Sequence, residues 1–391
     1  MKRSLMLAEI AIIIIAFAAC QTTKPVMQPQ TPQEGLQAKL TPTSPGPCSI
    51  QTASSGFSPR SDSSQTTIRL NIKASHNEAV KSWKIAFASD QGVQRTLSGT
   101  SLPDIVTWDG RNDSGSNAIE GSYTATLYLD YGEAFLQASA TSGSFVLDQN
   151  PPAAVISLSS DYFAPSNPGD LLTISITSVH SIAKIASWTM DIKDPGGSLF
   201  KSYRDTWPNY QVSWDGKADN GGSISSGEVY PVEVRLRDEY GNVGTIDSMV
   251  PIDIIVVKDA QGYRIPNSRI FFKAFTADYS DIAPDLVAQN TSRLDRLAAE
   301  LKKFPGYKIK IVGHAVMIHW GNKKLGEIEQ NEVLLPLSKA RAQAIEKALV
   351  ERGLKADLIA TDGEGADHPV VPNSDLVNRW KNRRTVIYLV K

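Results

Sequence analysis

The amino-acid sequence predicts a multidomain protein in which two tandem all-β sandwiches precede an α/β two-layer sandwich. Two observations predict this order. In residues 57–256, short runs that alternate polar and apolar side chains form a block that occurs twice, bounded by turn-forming residues. From residue 257 onward, apolar residues recur at helical spacing between short strand-like runs. A chain of 391 residues has room for these two or three domains.

Residues 1–20 have the pattern of an export signal. Lys2 and Arg3 precede an apolar stretch that contains AIIIIAFAA and is too short to span a bilayer. The segment ends in FAAC, which resembles a bacterial lipoprotein cleavage box. This resemblance implies that Cys20 becomes an acylated N-terminus and anchors the protein to a membrane. The alternative is a simple cleaved signal with an incidental cysteine.

Residues 21–56 are rich in proline, glutamine, threonine and serine and show no apolar period, which predicts a tether. As a flexible coil this segment would span roughly 35 Å. The sequence contains only two cysteines, Cys20 and Cys48, so it is not a disulfide scaffold. Cys48 lies in the tether, and we expect an unpaired thiol there, with an intermolecular disulfide as the alternative.

The two β units, residues 57–150 and residues 151–256, share three landmarks at almost one spacing. These landmark pairs are Phe57 and Phe163, Trp83 and Trp188, and Trp108 and Trp214. Alternating runs such as TIRLNIKAS and LLTISITS predict a β-sandwich for each unit. We interpret the four tryptophans as core or strand-end packing rather than as a platform for sugars.

The third landmark of each unit opens a longer motif, WDGRNDSG in the first unit and WDGKADNG in the second. On this motif, residues 57–255 resemble the FlgD-type immunoglobulin-like domains. The acids of the motif offer two alternatives, calcium ligands or turn residues that bond their own backbone. The EF-hand pattern is absent, which favours turns, and we predict no metal site. The acids are Asp109, Asp113, Asp215 and Asp219.

Residues 257–391 alternate strand-like and helical patterns. SRIFFKAF, YKIKIVG, DLIATDGEG and TVIYLV are predicted strands. A helix is predicted to begin at Pro284, with Leu294 and Leu301 on one apolar face. A second helix is predicted to run from an N-cap at Ser338 to Arg352.

Four motifs in this last domain occur in the order typical of the OmpA C-terminal-like family. They are Gly313-His314, LSKARA, GEGADHP and NRWKNRRTVIYL, and residues 265–391 resemble that family over its length. The resemblance implies that the domain binds peptidoglycan, chiefly the zwitterionic end of its diaminopimelate side chain. The candidate binding residues are His314, Arg341, Asn382, Arg383 and Arg384.

Arg341 can also be interpreted from local chemistry. The pattern places it in the first turn of its helix, where the helix dipole disfavours a cation by a few tenths of a kcal/mol. An arginine in that position makes sense if an anion such as a carboxylate also binds there. The alternative is an ion pair with an acid of the same chain.

The loop after His314 departs from the family pattern Gly-His-Thr-Asp. Val316 stands where the acid that meets the ligand's ammonium is expected, and Leu334 replaces the usual asparagine before Leu-Ser. The loop is also lengthened by the segment WGNKKLGEIEQNE. Three acids could fold back and substitute: Glu327, Glu329 and Glu332.

Together these patterns predict a cell-envelope lipoprotein that is anchored by its lipid on the periplasmic side of the outer membrane and binds peptidoglycan non-covalently. The alternative is an envelope scaffold whose last domain has lost or altered glycan binding, with protein partners on the β-sandwiches. A net charge of −1 and a pI of about 6.5 argue against a nucleic-acid partner. No nucleophile elbow or cofactor motif is present, so we predict neither an enzyme nor a cofactor.

Overall fold

The computed structural model describes residues 41–60, 63–165, 169–206, 209–259 and 262–391. The predicted signal peptide, the lipidation site Cys20 and the first part of the tether lie outside these residues. Within the described ranges, no helix is long and apolar enough to cross a membrane.

The first β unit packs its sheets around a shared apolar core. Its strands are β1 (Cys48–Thr52), β2 (Gly56–Phe57), β3 (Ile68–Ala74), β4 (Ser82–Ser89), β5 (Gly92–Gly99), β6 (Ile105–Trp108), β7 (Gly121–Asp130), β8 (Ala138–Thr141) and β9 (Phe145–Leu147). One sheet has the order β1-β3-β6, and the other has the order β2-β9-β7-β4-β5 with β8 also paired to β7.

The predicted tether ends earlier than residue 56, because β1 already belongs to the first β unit. Cys48–Thr52 pairs antiparallel with β3, and Ile50 is buried in the core. The prediction missed this strand because a single inward isoleucine gives almost no periodic signal. Cys48 is a free, half-buried thiol, and burial raises its pKa.

The second β unit repeats this layout. Its strands are β10 (Ala153–Leu158), β11 (Leu172–His180), β12 (Ile185–Lys193), β13 (Leu199–Thr206), β14 (Gln211–Trp214), β15 (Val229–Asp238) and β16 (Val243–Pro251). They form sheets in the orders β10-β11-β14 and β13-β12-β15-β16, and residues of both sheets meet in one apolar cluster.

Equivalent tryptophans are held in the same way in the two units. Trp108 and Trp214 are buried, and their indole N–H groups donate to the carbonyl oxygens of Arg111 (2.7 Å) and Lys217 (3.0 Å). This confirms their interpretation as packing residues. An acid of the same motif also forms a hydrogen bond with the backbone: the Asp109 carboxylate accepts from the N–H of Arg111 at 3.1 Å.

The C-terminal domain consists of a mixed sheet with helices packed on one face. Its elements are β17 (Val257–Asp259), β18 (Gly262–Ser268), α1 (Pro284–Leu301), β19 (Lys308–His314), α2 (Lys323–Glu329), α3 (Leu335–Glu351), β20 (Ile359–Gly365) and β21 (Thr385–Val390). The sheet order is β17-β18-β21-β19-β20, with β19 and β20 parallel. Apolar residues of α1 and α3 cover the inward side chains of β19 and β21.

The predicted strand SRIFFKAF is wrong, because β18 ends at Ser268 before most of that run begins. The Asn290 side chain takes the place of a neighbouring strand for Phe271. Its Oδ1 accepts from the Phe271 N–H and its Nδ2 donates to the Phe271 carbonyl, both at 2.8 Å. The segment therefore leaves the sheet and passes over α1.

Buried polar groups join the first β unit to the second. Ser58 donates to Asn242 Oδ1 at 2.6 Å, and Asn242 Nδ2 donates to Asp238 at 2.9 Å. Asp148, from the end of the first unit, is buried beside Asp238. Burial, together with the Asp238 carboxylate, raises the pKa of Asp148 to about 6. The seam, meaning the contact between the two β units, thus contains two carboxyl groups that repel each other when both are ionised.

Salt bridges join the second β unit to the C-terminal domain. Glu228, which is 1% exposed, lies 3.0 Å from Arg269 Nε and 3.1 Å from Arg293 Nη2. Arg293 also donates to the Gly227 carbonyl at 2.7 Å. Because a buried charge is costly unless it is paired, these contacts hold the two bodies in one relative position.

We expect Asp148→Asn to stabilise the protein at pH 7.5 by about 1–3 kcal/mol, because an amide can donate to Asp238 where an ionised Asp148 repels it. The folded-state pKa of Asp148 is raised, so the folded state binds the proton more tightly. The contribution of Asp148 to stability should therefore be lost as the pH rises from about 4 to 6, so the stability of Asp148→Asn relative to the wild type should increase over this range. Denaturant unfolding at several pH values measures this difference. Asp104→Asn, at an exposed site, is the control, and a difference between Asp148→Asn and the wild type that does not change with pH would contradict the assignment.

Candidate functional site

A cavity of about 380 Å³ opens where the loop after β19, the α2–α3 helical segment and the turn before β21 meet. Its wall combines arginines and one carboxylate with apolar side chains. The lining residues are Phe272, Ala274, Phe275, Ala315, Val316, Ile318, Glu329, Leu334, Leu337, Arg341, Arg379 and Arg383.

Arg341 projects from α3 into this cavity. Its Nε donates to the Thr276 carbonyl at 2.9 Å, and its guanidinium lies over the Phe272 ring, 5.0 Å from the centroid. Burial and the nearby Arg383 lower the pKa of Arg341. No acid in the described part of the chain forms an ion pair with Arg341, so the predicted alternative of an internal partner is not found there.

The prediction that Arg341 lies in the first turn of a helix is wrong. Residues 330–334 form a π-helical turn that joins α2 to α3, so helical backbone begins at Lys323. Ser338 does not cap a helix: its Oγ donates to the Leu335 carbonyl and accepts from the Gly365 N–H. The π turn accommodates Pro336, which lacks an N–H and crowds the preceding turn. The helix dipole therefore does not create the positive charge at this site; the arginines do.

Arg383 and Arg379 add further positive charge to the cavity. Arg379–Asn382 forms a short 3-10 turn, and Arg383 follows it directly. Burial, with the neighbouring Arg379 and Arg269, lowers the pKa of Arg383. In the described residues neither Arg383 nor Arg341 has an acidic partner, which is unusual for half-buried guanidinium groups. The sequence analysis missed Arg379, although it lies in the same NRWKNRR run.

Glu329 is the acid that reaches the cavity. It is 9% exposed, and its carboxylate accepts from the backbone N–H groups of Ile318 (3.0 Å) and His319 (2.8 Å). Burial alone would raise its pKa, but these hydrogen bonds and the His319 ring together lower it. Glu329 is therefore ionised at neutral pH. Glu327 and Glu332, the other substitutes suggested by the sequence, do not line the cavity.

His314 and Arg384, both predicted as binding residues, lie outside the cavity lining. His314 is buried next to Arg384, and burial together with that guanidinium lowers the pKa of His314 to about 4. Arg384 donates to the His368 carbonyl at 2.9 Å. Strand geometry explains this placement. Alternate residues of β19 face opposite sides of the sheet, and His314 faces away from the helices.

Asn382, the remaining predicted residue, organises a loop. Its Oδ1 accepts from the N–H groups of Val370 (2.9 Å) and Val371 (3.1 Å), and its Nδ2 donates to the Val371 carbonyl. It is 1% exposed, so it supports the wall of the site without facing the cavity. Among the described residues, no group of three histidine, cysteine, aspartate or glutamate side chains could hold a metal ion.

Comparison with known proteins identifies the domain that carries this cavity. Residues 280–383 match the family model described as the OmpA family. The chain therefore has a C-terminal OmpA-like domain. The match covers the helices, β19, β20 and the arginine-bearing turn, and it leaves the β units without an assigned family.

Curated relatives share this OmpA-like domain. The peptidoglycan-associated lipoprotein of Rhizobium meliloti is 37% identical over 121 residues, which are 31% of this chain and 59% of the relative. The peptidoglycan-binding protein ArfA of Mycobacterium tuberculosis is 31% identical over 102 residues, 26% of this chain and 28% of the relative. The chain thus spans between about a quarter and three fifths of these relatives' lengths.

Solved structures are also similar to part of this chain. The periplasmic domain of Helicobacter pylori MotB (residues 90-256) matches with 20% sequence identity and a TM-score of 0.28. The match covers 35% of this chain and 78% of the MotB domain.

The cavity combines two guanidinium groups that have no acidic partner among the described residues with an ionised carboxylate held by backbone N–H groups. Guanidinium forks suit carboxylates, and a fixed carboxylate suits an ammonium. Apolar side chains line the same cavity, and the lower local polarity that they create strengthens both interactions. Chemically, the site of the OmpA-like domain suits a small ligand that carries both charges close together.

We expect His314 to make folding stability depend on pH. Its folded-state pKa of about 4 lies below the ordinary 6.5, so the unfolded state binds the proton more tightly. The contribution of His314 to stability should therefore fall by up to about 3 kcal/mol as the pH drops from 6.5 to 4. His314→Leu should remove this contribution, so the stability of this variant relative to the wild type should rise over that range in denaturant unfolding, whereas His76→Gln, at an exposed histidine, should show no such change. A stability difference between His314→Leu and the wild type that does not change with pH would show that His314 is not the group responsible.

Proposed function

We propose that the chain is a bacterial cell-envelope lipoprotein that binds peptidoglycan non-covalently through its OmpA-like domain, and that it is not an enzyme. The observation that carries this proposal is the cavity in which Arg341 and Arg383 have no acidic partner among the described residues while Glu329 offers an ionised carboxylate. A ligand that supplies an anion and a cation together would satisfy all three groups.

The free end of a diaminopimelate side chain in the peptidoglycan stem peptide has this chemistry. Its carboxylate would bind Arg341 and Arg383, and its ammonium would bind Glu329. Glu329 thereby takes the role of the acid that the sequence lacks at Val316. Phe275, which is 72% exposed at the cavity, would cover the aliphatic part of the side chain.

The relatives support the same class of ligand. One is named a peptidoglycan-associated lipoprotein and another a peptidoglycan-binding protein, and both match this chain through the OmpA-like domain. Their similarity to this chain covers only part of each protein, so the role of the whole chain is itself part of the proposal.

In this proposal Cys20 carries the lipid and holds the protein on the periplasmic side of the outer membrane. The β units would be immunoglobulin-like modules of the FlgD type that set the distance between the membrane and the wall or bind envelope proteins. A membrane anchor at one end and a wall-binding domain at the other would connect the two layers.

The second candidate is an envelope scaffold whose OmpA-like domain binds a protein instead of the wall. The apolar side chains of the cavity favour it, because Phe275 and Ile318 line the cavity and are 72% and 52% exposed, and exposed apolar residues in a cluster are typical of protein interfaces. The two candidates differ in whether Arg341 is needed for retention on the cell wall.

We expect Arg341→Ala to weaken binding to purified sacculi by about 10- to 100-fold, because a charge-assisted hydrogen bond contributes about 1.5–3 kcal/mol. Co-sedimentation of a soluble form that begins at Gln21 measures this. Lys347→Ala removes an exposed charge from the same helix and should bind as the wild type does. Equal retention of Arg341→Ala and wild type would exclude the proposed site, and no retention of either would favour the scaffold.

Glu329→Gln should weaken binding of a diaminopimelate-containing stem peptide about 10-fold, because a neutral amide attracts the ammonium less. Binding of the matching peptide with 2-aminopimelate, which lacks that ammonium, should change less than about twofold. Calorimetric titration gives both affinities. Glu327→Gln, an exposed acid on the same helix, is the matched control. An equal loss for both peptides would mean that Glu329 only shapes the loop.

A further inference from the structure

The turn that supplies arginines to the cavity is packed against the second β unit. Arg379 lies in this turn and Arg383 follows it, and both line the cavity. The Arg383 N–H donates to the Trp380 carbonyl at 3.0 Å. A displacement of Trp380 therefore displaces the backbone that carries a cavity arginine.

The opposite face of the turn contacts the hairpin between β12 and β13. Lys381 Nζ lies 3.4 Å from the buried carboxylate of Asp194. Gly196 approaches the Trp380 indole so closely that a Cβ there would collide with Nε1. Within the described residues, this Nε1 is buried without a hydrogen-bond partner, so the shape of its surroundings holds the ring.

A rigid support stands behind both partners of this contact. In the hairpin, Asp194 Oδ1 accepts from the N–H groups of Gly196 (2.9 Å) and Ser198 (3.0 Å). On the domain side, the Arg269 guanidinium lies 4.8 Å from the centroid of the Trp380 ring and pairs with Glu228 of the second β unit. Trp380 is thus enclosed between groups that the second β unit fixes.

We infer that the second β unit is part of the binding machinery and not only a spacer. Through Gly196, Asp194 and Glu228 it fixes Trp380, and through Trp380 it sets where Arg379 and Arg383 stand in the cavity. These residues of the β unit are positioning residues, since they do not line the cavity. The inference rests on the proposed function, because it concerns affinity for the same ligand.

Gly196→Ala tests the inference, since its added methyl group pushes on Trp380 and its backbone has no positive φ to strain. We expect affinity for the diaminopimelate-containing stem peptide to fall by about three- to tenfold, because small displacements of binding groups are costly. In Gly196→Ala/Trp380→Phe the smaller ring makes room for the methyl group, and affinity should return to within about twofold of the Trp380→Phe value. Calorimetry on the soluble form that begins at Gln21 measures affinity, and the melting temperature of each variant is recorded in parallel.

Gly143→Ala is the matched control, because a Cβ at Gly143 meets open space and the change leaves the second β unit intact. An unchanged affinity in Gly196→Ala overturns the inference. A loss of affinity that Trp380→Phe does not relieve overturns it as well. In both cases the proposed function stands. If Gly196→Ala does not fold, Lys381→Met removes the ion pair with Asp194, and an unchanged affinity there overturns the inference as well. A wild-type protein that does not bind the peptide overturns the proposed function itself.

Discussion

The site depends on two like charges kept close together and partly out of water. Burial lowers the pKa of both Arg341 and Arg383, and nearby cations lower it further: Arg383 acts on Arg341, and Arg379 and Arg269 act on Arg383. Such an arrangement opposes folding unless contacts elsewhere hold it in place. Thr276 and Phe272 hold Arg341, and the turn that begins at Arg379 holds Arg383. The repulsion that remains is the driving force available to an anion, which would relieve it on binding.

The acid of the cavity comes from the inserted segment and not from the loop that follows β19. The loop after β19 has Val316 where related sequences are expected to have an acid. Here the inserted segment forms α2, and Glu329 at the end of that helix extends back to the backbone of the same loop. Because a carboxylate needs only hydrogen-bond donors and access to the cavity, an inserted helix can supply it.

The OmpA-like domain does not stand apart from the β units. Glu228 of the second unit is buried between Arg269 and Arg293, and the Asp194 hairpin supports the arginine-bearing turn. At the other seam, Ser58 of the first β unit bonds Asn242, which bonds Asp238, and Asp148 is buried beside them. Charges buried at both seams require close-fitting partners, so the described part of the chain has defined junctions where the sequence suggested a row of separate modules.

The sequence by itself determined the elements whose signals are local and repeated. The Trp108 and Trp214 landmarks, the helix that begins at Pro284 and the strands β19 to β21 follow from alternation, helical spacing and turn residues. Tertiary structure decided what depends on long-range pairing. Antiparallel pairing with β3 placed Cys48–Thr52 in the first β unit. The Asn290 side chain bonds the Phe271 backbone, which would otherwise pair with a strand. Helical backbone from Lys323 placed Arg341 away from a helix end, and strand alternation turned His314 away from the cavity. A residue's neighbours along the chain set its local conformation, but the groups it meets across the fold set its charge environment, and these cannot be read from its immediate sequence.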